Sequence, residues 1–127
     1  MPSENLQIVV SQGSRGQKIL LLKGPLDIGT VFKFQDALRS ESSPVLILDF
    51  TEVPFVDTSG LSALVVAHVS ARKSDRKILF AAFNNQARAV IELTHLNRLF
   101  LTYSTIQDAE AADFGTRNPT DLASRNQ

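Results

Sequence analysis

Asp57, Thr58, Ser59 and Gly60 stand together in this chain, and they have the types and spacing for chemistry. Two small alcohols follow a carboxylate, and a glycine closes the group. An apolar run from Val45 to Phe50 precedes them, and an apolar-periodic segment from Leu61 follows. The stretch 45–61, VLILDFTEVPFVDTSGL, therefore reads as strand, loop and hydroxyl-rich helix start. That geometry serves as a cap, because Asp, Ser and Thr oxygens satisfy the free N–H groups of a first helical turn. It also serves as an address for a phosphate, because those same N–H groups carry roughly half a positive charge. The local pattern is common to both.

Neither alcohol has a partner that would make it a nucleophile. The two histidines, His68 and His95, fall on later helices, so a Ser-His-Asp arrangement has no support. The histidines lack metal-ligand spacing, and neither a GxxxxGK[ST] loop nor a GxGxxG loop is present. His68, on an apolar helical face, reads as a hydrogen-bonded core residue. His95 reads as a helix-end residue facing the dipole or solvent.

Two further groups matter by position. Gly24-Pro25-Leu26-Asp27 ends a strand and leads to a helix start. Asn84-Asn85 follows a later strand and has the residue types of a turn and cap. In a parallel sheet, loops after the carboxyl ends of strands gather on one rim. Asp27, Asp57, Thr58, Ser59, Gly60 and Asn84 are then expected to share that rim as a partner-binding surface.

The 127 residues suit one domain with a real core, and 43% hydrophobic with 20% charged residues is ordinary for a globular protein. Thirteen basic and thirteen acidic side chains cancel, so the nonspecific electrostatic grip of a nucleic-acid binder is not expected. The absence of cysteine excludes disulfides, thiolate chemistry and Cys-based zinc sites. No cofactor or metal is expected. No apolar run reaches membrane-spanning length, and MPSENLQIVV lacks the features of a signal peptide. The expected location is the cytoplasm.

The elements that must position these residues follow in order. Leu6 to Ser11 and Lys18 to Lys23 read as strands joined by the turn Gly13-Ser14-Arg15-Gly16, a hairpin spacing with glycine at both ends. A helix is expected from about Gly29 to Arg39, with Val31, Phe32, Phe34, Ala37 and Leu38 on its apolar side. Val45 to Phe50 is a strand without alternation, as for one covered on both faces. A helix from Ser59 to Arg72 follows, with Leu61, Leu64, Val65, His68 and Val69 at helical spacing. Lys77 to Ala82 is the fourth strand. Asn84-Asn85 opens a helix ending near His95, Leu99 to Tyr103 is a fifth strand, and Ile106 to Ala112 forms a last turn or two. Residues 1–112 are expected as one domain and 113–127 as a polar, frayed tail. The order β-β-α-β-α-β-α-β-α implies an α/β fold with a mostly parallel sheet and an antiparallel first hairpin.

The chain resembles anti-sigma-factor antagonists of the STAS superfamily over roughly Leu6 to Ala112. The most specific part is VLILDFTEVPFVDTSGL, similar to the family's strand, connection and phosphorylation loop. KGPLD resembles the family's G-x-L-D step, and ARAVIELTHLNRLF its third helix and last strand. The resemblance implies a non-enzymatic binding module, switched by phosphate. Its partner would be an anti-sigma factor that is itself a protein kinase, with a protein phosphatase as a further partner. The phosphate acceptor carried over is Thr58, with Ser59 as the adjacent alternative. Serine is usual at that position, and the glutamate of the family's G-E-L-D is replaced here by Pro25, while Asp27 is kept. STAS subunits of lipid-transport ATPases often carry D-T-x-G-L in this loop. An adaptor or scaffold subunit, not switched by phosphate, is therefore the alternative.

Overall fold

The computed structural model describes residues 5–112. Residues 1–4 and the segment 113–127, including the expected tail, lie outside them. The elements run β1 (Gln7–Gln12), β2 (Lys18–Lys23), α1 (Val31–Arg39), β3 (Val45–Glu52), α2 (Thr58–Lys73), β4 (Lys77–Ala81), α3 (Asn85–Leu93), β5 (Leu101–Tyr103) and α4 (Ile106–Ala111). A short 3-10 turn at Leu96–Arg98 joins α3 to β5, which the sequence reading did not foresee.

The sheet order is β1-β2-β3-β4-β5, the same as the chain order. β1 and β2 are antiparallel, and β2 through β5 are parallel. Strands added in sequence with right-handed crossovers must place every crossover helix on one face. The core divides accordingly. Leu20, Leu22, Leu46, Leu48, Phe50 and Phe80 pack with residues of α1, α2 and α3 in the larger cluster. Ile19, Val45, Ile47, Leu79 and Ala81 pack with Ala109 of α4 in the smaller one. Covering β3 on both faces explains its unbroken apolar run.

The residues of β3 and β4 toward their carboxyl ends are stiffened by aromatics. Ring centroids of Phe50 and Phe83 lie 4.4 Å apart, as do those of Phe80 and Phe100. Such pairs add about 0.5–1.5 kcal/mol each beyond their buried area. α4 is tied to the β1–β2 turn: Ser14 N–H donates to Glu110 Oε1 at 2.8 Å, and Gln17 Nε2 donates to the Glu110 carbonyl at 2.8 Å. Burial beside α4 also raises the Tyr103 phenol above its ordinary pKa.

Two helices differ from expectation in which side chains they bury. On α1, Val31 and Phe34 are buried, but Phe32 is 72% exposed. On α2 the buried stripe is Gly60, Ala63, Leu64, Ala67, His68 and Ala71, while Val69 is exposed. Small residues let α2 lie close to the sheet, so the stripe is marked by alanine rather than by large apolar side chains.

Candidate functional site

Two loops at the carboxyl ends of β2 and β3 are zipped together. Leu26 N–H donates to the Phe55 carbonyl at 3.0 Å, and Asp57 N–H donates to the Leu26 carbonyl at 3.1 Å. Leu26 and Val56 thus form a one-residue parallel bridge beyond the strands proper. Both side chains are buried, which hides the two loops' apolar parts beneath the rim.

The path requires glycine at two places. Gly24 has φ +133°, and a Cβ there would lie 1.9 Å from the Asn5 carbonyl oxygen. Gly60 is helical, but a Cβ would lie 2.2 Å from the Leu26 carbonyl oxygen. Gly60 is therefore the residue that lets the first turn of α2 press against the β2–α1 loop.

Asp57 is the N-cap of α2. Its Oδ1 accepts from Gly60 N–H at 2.8 Å, and its Oδ2 accepts from Ile28 N–H at 3.2 Å. One carboxylate thus caps a helix and fastens the neighbouring loop. Asp27 makes its own turn: Oδ1 accepts from Gly29 N–H at 2.9 Å, and Asp27 N–H donates to Thr30 Oγ1 at 3.0 Å. Thr30, fully buried, returns its proton to the Pro25 carbonyl at 2.9 Å. Both carboxylate oxygens of Asp57 and Oδ1 of Asp27 are engaged in holding backbone.

The hydroxyls differ. Thr58 is the first residue of α2 and is exposed; Ser59 follows it, half-buried. Neither hydroxyl makes a hydrogen bond among the described residues. Because Asp57 performs the capping, both alcohols are left over. The Thr58 hydroxyl lies at the positive end of a sixteen-residue helix dipole with no base hydrogen-bonded to it.

Asn84 reaches the same rim from β4. It caps α3 by accepting from Ala87 N–H at 2.9 Å, and its Nδ2 donates to the Pro54 carbonyl at 2.8 Å. Its side chain supports the β3–α2 loop, so its contribution to the rim is structural. Gln86, which the sequence reading passed over, does more of the same. Its Oε1 accepts from Val56 N–H at 3.1 Å while its Nε2 donates to the Val56 carbonyl at 3.2 Å. A two-point clasp of one backbone residue by a side chain thirty positions later leaves no local sequence signal.

The rim also carries apolar side chains that the core does not use. Ile28 is 68% exposed, and Phe32 and Phe55 are exposed as well. They stand on the β2–α1 loop, the first turn of α1 and the β3–α2 loop. Exposed aromatics around a polar centre are characteristic of protein-binding faces. Spacing alone separates Phe32 from the core, since 31, 34 and 38 share a helical face and 32 does not.

The family model for the STAS domain matches residues 7–109. The fold is similar to that of an anti-sigma factor antagonist from Mycobacterium paratuberculosis, with a TM-score of 0.73 and 25% identity over 82% of this chain and 90% of that one. It is also similar to the anti-sigma factor antagonist SpoIIAA in its unphosphorylated form, with a TM-score of 0.62 and 18% identity over 81% and 92% of the two chains. A third likeness is to murine Solute Carrier 26 family member A9, an anion transporter in its inward-facing state. There the TM-score is 0.60 and the identity 23%, over 73% of this chain and 17% of that one.

Proposed function

The chain belongs to the STAS-domain family, and from that membership we propose that it is an anti-sigma-factor antagonist switched by phosphorylation of Thr58. Unmodified, it binds an anti-sigma factor that is also a protein kinase, and so frees a sigma factor. Phosphorylated, it lets go, and a protein phosphatase resets it. In this reading it is a cytoplasmic binding module and not an enzyme. Among the described residues no helix is long and apolar enough to cross a membrane.

One observation carries the reading: Thr58 is exposed and its hydroxyl makes no hydrogen bond among the described residues, because Asp57 already caps the helix. A phosphoryl group added there displaces no hydrogen bond of the fold. It brings about −1.5 to −2 charge, which the helix N-terminus accommodates locally. The penalty falls on the interface, where a dianion beside Asp57 must be desolvated against the partner. A loss of roughly 3 kcal/mol weakens binding by over a hundredfold. Asp27, Asp57, Ser59, Gly60 and Asn84 shape the contact surface, and Ile28, Phe32 and Phe55 give it its apolar area.

The test is intact mass of the protein from its native host, with mapping of any added phosphate, paired with binding of Thr58→Glu to the anti-sigma factor. Phosphate on Thr58 and a hundredfold weaker Thr58→Glu are expected. A chain never modified there, with Thr58→Glu binding as well as the parent, overturns the switch. Modification found on Ser59 instead moves the acceptor by one residue and keeps the mechanism.

The likeness to a transporter's domain, together with threonine at position 58, favours one second reading. The chain would be an adaptor or scaffold subunit of a lipid-transport ATPase or other signalling complex, held by the same rim without phosphate. Co-purification of transporter subunits rather than a kinase and sigma factor distinguishes it.

A further inference from the structure

β1 is an open edge of the sheet. It stands at one end of the strand order, and among the described residues no strand pairs with its outer side. Its sequence, QIVVSQ, holds no charge and no proline, and its register with β2 runs unbroken from Gln7 to Gln12. Sheet edges are ordinarily guarded by charges, proline, a bulge or short length. The opposite edge, β5, is guarded by length, with only three residues. β1 has none of these guards, and Val9 and Val10 on it are 47% and 51% exposed.

The hairpin sets the hydrogen-bonding parity of this edge. Gly13 N–H donates to the Gln17 carbonyl at 2.7 Å, and that pair continues the β1–β2 register. Bonded and non-bonded pairs alternate along an antiparallel ladder. Gln7, Val9 and Ser11 therefore turn their N–H and C=O groups toward β2, while Ile8, Val10 and Gln12 turn theirs outward. Side chains alternate between faces as well. Ile8 packs on the larger core cluster, so Ile8 and Val10 stand on the face of α1, α2 and α3, and Val9 on the other.

These constraints select a partner. An incoming antiparallel strand must bring outward backbone groups opposite Ile8 and Val10, and apolar side chains on both faces. β1 of a second copy meets both demands when Ile8 of each copy lies opposite Val10 of the other. Val9 then falls opposite Val9, and Gln7 opposite Ser11, so like meets like on each face. A register centred on Val10 instead sets Val9 against Ser11 and Ile8 against Gln12. Because the strand is uncharged, it meets its own copy without repulsion.

We propose that β1 pairs with β1 of a second copy about a two-fold axis through Val9, joining the two sheets into one. Ile8 and Val10 exchange the backbone bonds, and the two Val9 side chains touch on the axis. Such an edge is about 20 Å long and about 10 Å deep. That is far short of the roughly 800 Å² per partner of a stable interface, so the dimer is a transient one, with a Kd on the order of 100 µM. The axis reverses one copy relative to the other. The two Thr58 rims then lie at opposite ends of the joined sheet, and both stay free, whatever their partner is.

The test is sedimentation equilibrium of the full chain from micromolar to millimolar concentration, with single substitutions at the axis. The parent should pass from monomer to dimer across that range. The chain has no cysteine, so an introduced one reports alone. The two Val9 Cα atoms lie about 4.5 Å apart in a non-bonded pair, within reach of a disulfide. Val9→Cys should therefore oxidise to a linked dimer at least tenfold faster than Val10→Cys, although Val10 is the more exposed. Val9→Lys and Val9→Glu should each dimerise at least tenfold more weakly than the parent. Mixed one-to-one, they should pair at least as tightly as the parent, a recovery that no misfolded variant can produce. Amide exchange should find Ile8 and Val10 unprotected at micromolar and protected at millimolar concentration. The proposal is overturned by a parent that stays monomeric at millimolar concentration, or by Val10→Cys linking as fast as Val9→Cys. It is also overturned if the Lys and Glu variants pair no better together than apart. Protection of Ile8 and Val10 that ignores concentration would show the edge covered by the same chain, and overturns it too.

Discussion

The two ends of α2 satisfy their backbone in different ways and leave different atoms over. At the amino end, Asp57 takes Gly60 N–H and Ile28 N–H, and the surplus group is the exposed Thr58 hydroxyl. At the carboxyl end, the chain closes on itself through Arg76 and Asp75, and the surplus group is the buried His68 Nε2. Water satisfies an exposed hydroxyl at almost no penalty. A buried nitrogen without a partner costs about 1–3 kcal/mol. Changing the first should alter binding and leave stability alone, whereas changing the second should alter stability.

The sharpest way to break this contrast is Gly60→Ala. On helix propensity alone the substitution would stabilise α2 by about 1 kcal/mol. The Cβ, however, would meet the Leu26 carbonyl oxygen at 2.2 Å, and both partners are backbone-anchored and buried. We expect a loss of about 3 kcal/mol and a melting temperature about 10–15 °C lower. A stabilised Gly60→Ala protein would mean that the loops of β2 and β3 are not pressed together as described.

Asp57→Ala should have the next largest effect. It removes a cap, worth about 0.5–2 kcal/mol, and the tie to Ile28. Asp57→Asn keeps an acceptor for Gly60 N–H and should recover most of that loss. Urea unfolding of the three proteins separates hydrogen bonding from charge. Equal losses for Ala and Asn would show that the charge, and not the bond, holds the turn.

The carboxyl end is tested by pH. His68 has its folded-state pKa below the ordinary 6.5. Between those two values the unfolded chain binds more protons than the folded one, so stability rises with pH there. The contribution is fully present above about 6.5 and is lost as pH falls toward the depressed value. His68→Phe should remove this slope, and above pH 7 it should be at least as stable as the parent, because no orphaned nitrogen remains. Unfolding curves at pH 5.5 and 7.5 check it, and an unchanged pH difference would move the titration to another group.

Legibility in the sequence followed the same divide. The element order, the parallel sheet and the start of α2 could be read because apolar period and turn chemistry are local signals. The rim could be read because three loops follow three parallel strands. That Asp57 and not a hydroxyl would cap α2 could not, since all three residue types are good caps. The Gln86 clasp on Val56 and the hidden meeting of Gly60 with Leu26 join residues 30 and 34 positions apart, beyond any local pattern. His68 reads as a hydrogen-bonded core residue; it is in the core, and its Nε2 makes no hydrogen bond among the described residues. Phe32 was grouped with the core because α1 is apolar over a broad arc, and the arc is wider than the face the sheet covers.

The smallest expected effect is the one that isolates the amino end. Thr58→Glu places a negative charge at the first residue of α2, where the helix dipole contributes about 0.3–1 kcal/mol in its favour. Asp57, next to it, repels that charge by a similar amount, screened because both groups reach solvent. The lost hydroxyl makes no hydrogen bond among the described residues, so no partner there is orphaned. The two terms should nearly cancel, leaving stability within about 0.5 kcal/mol and the melting temperature within about 3 °C of the parent. Raising the salt should shrink even that difference. A Thr58→Glu protein several kcal/mol less stable would show that the hydroxyl is part of the fold after all. The separation of fold from switch at this end of α2 would then fail, whatever the variant did to binding.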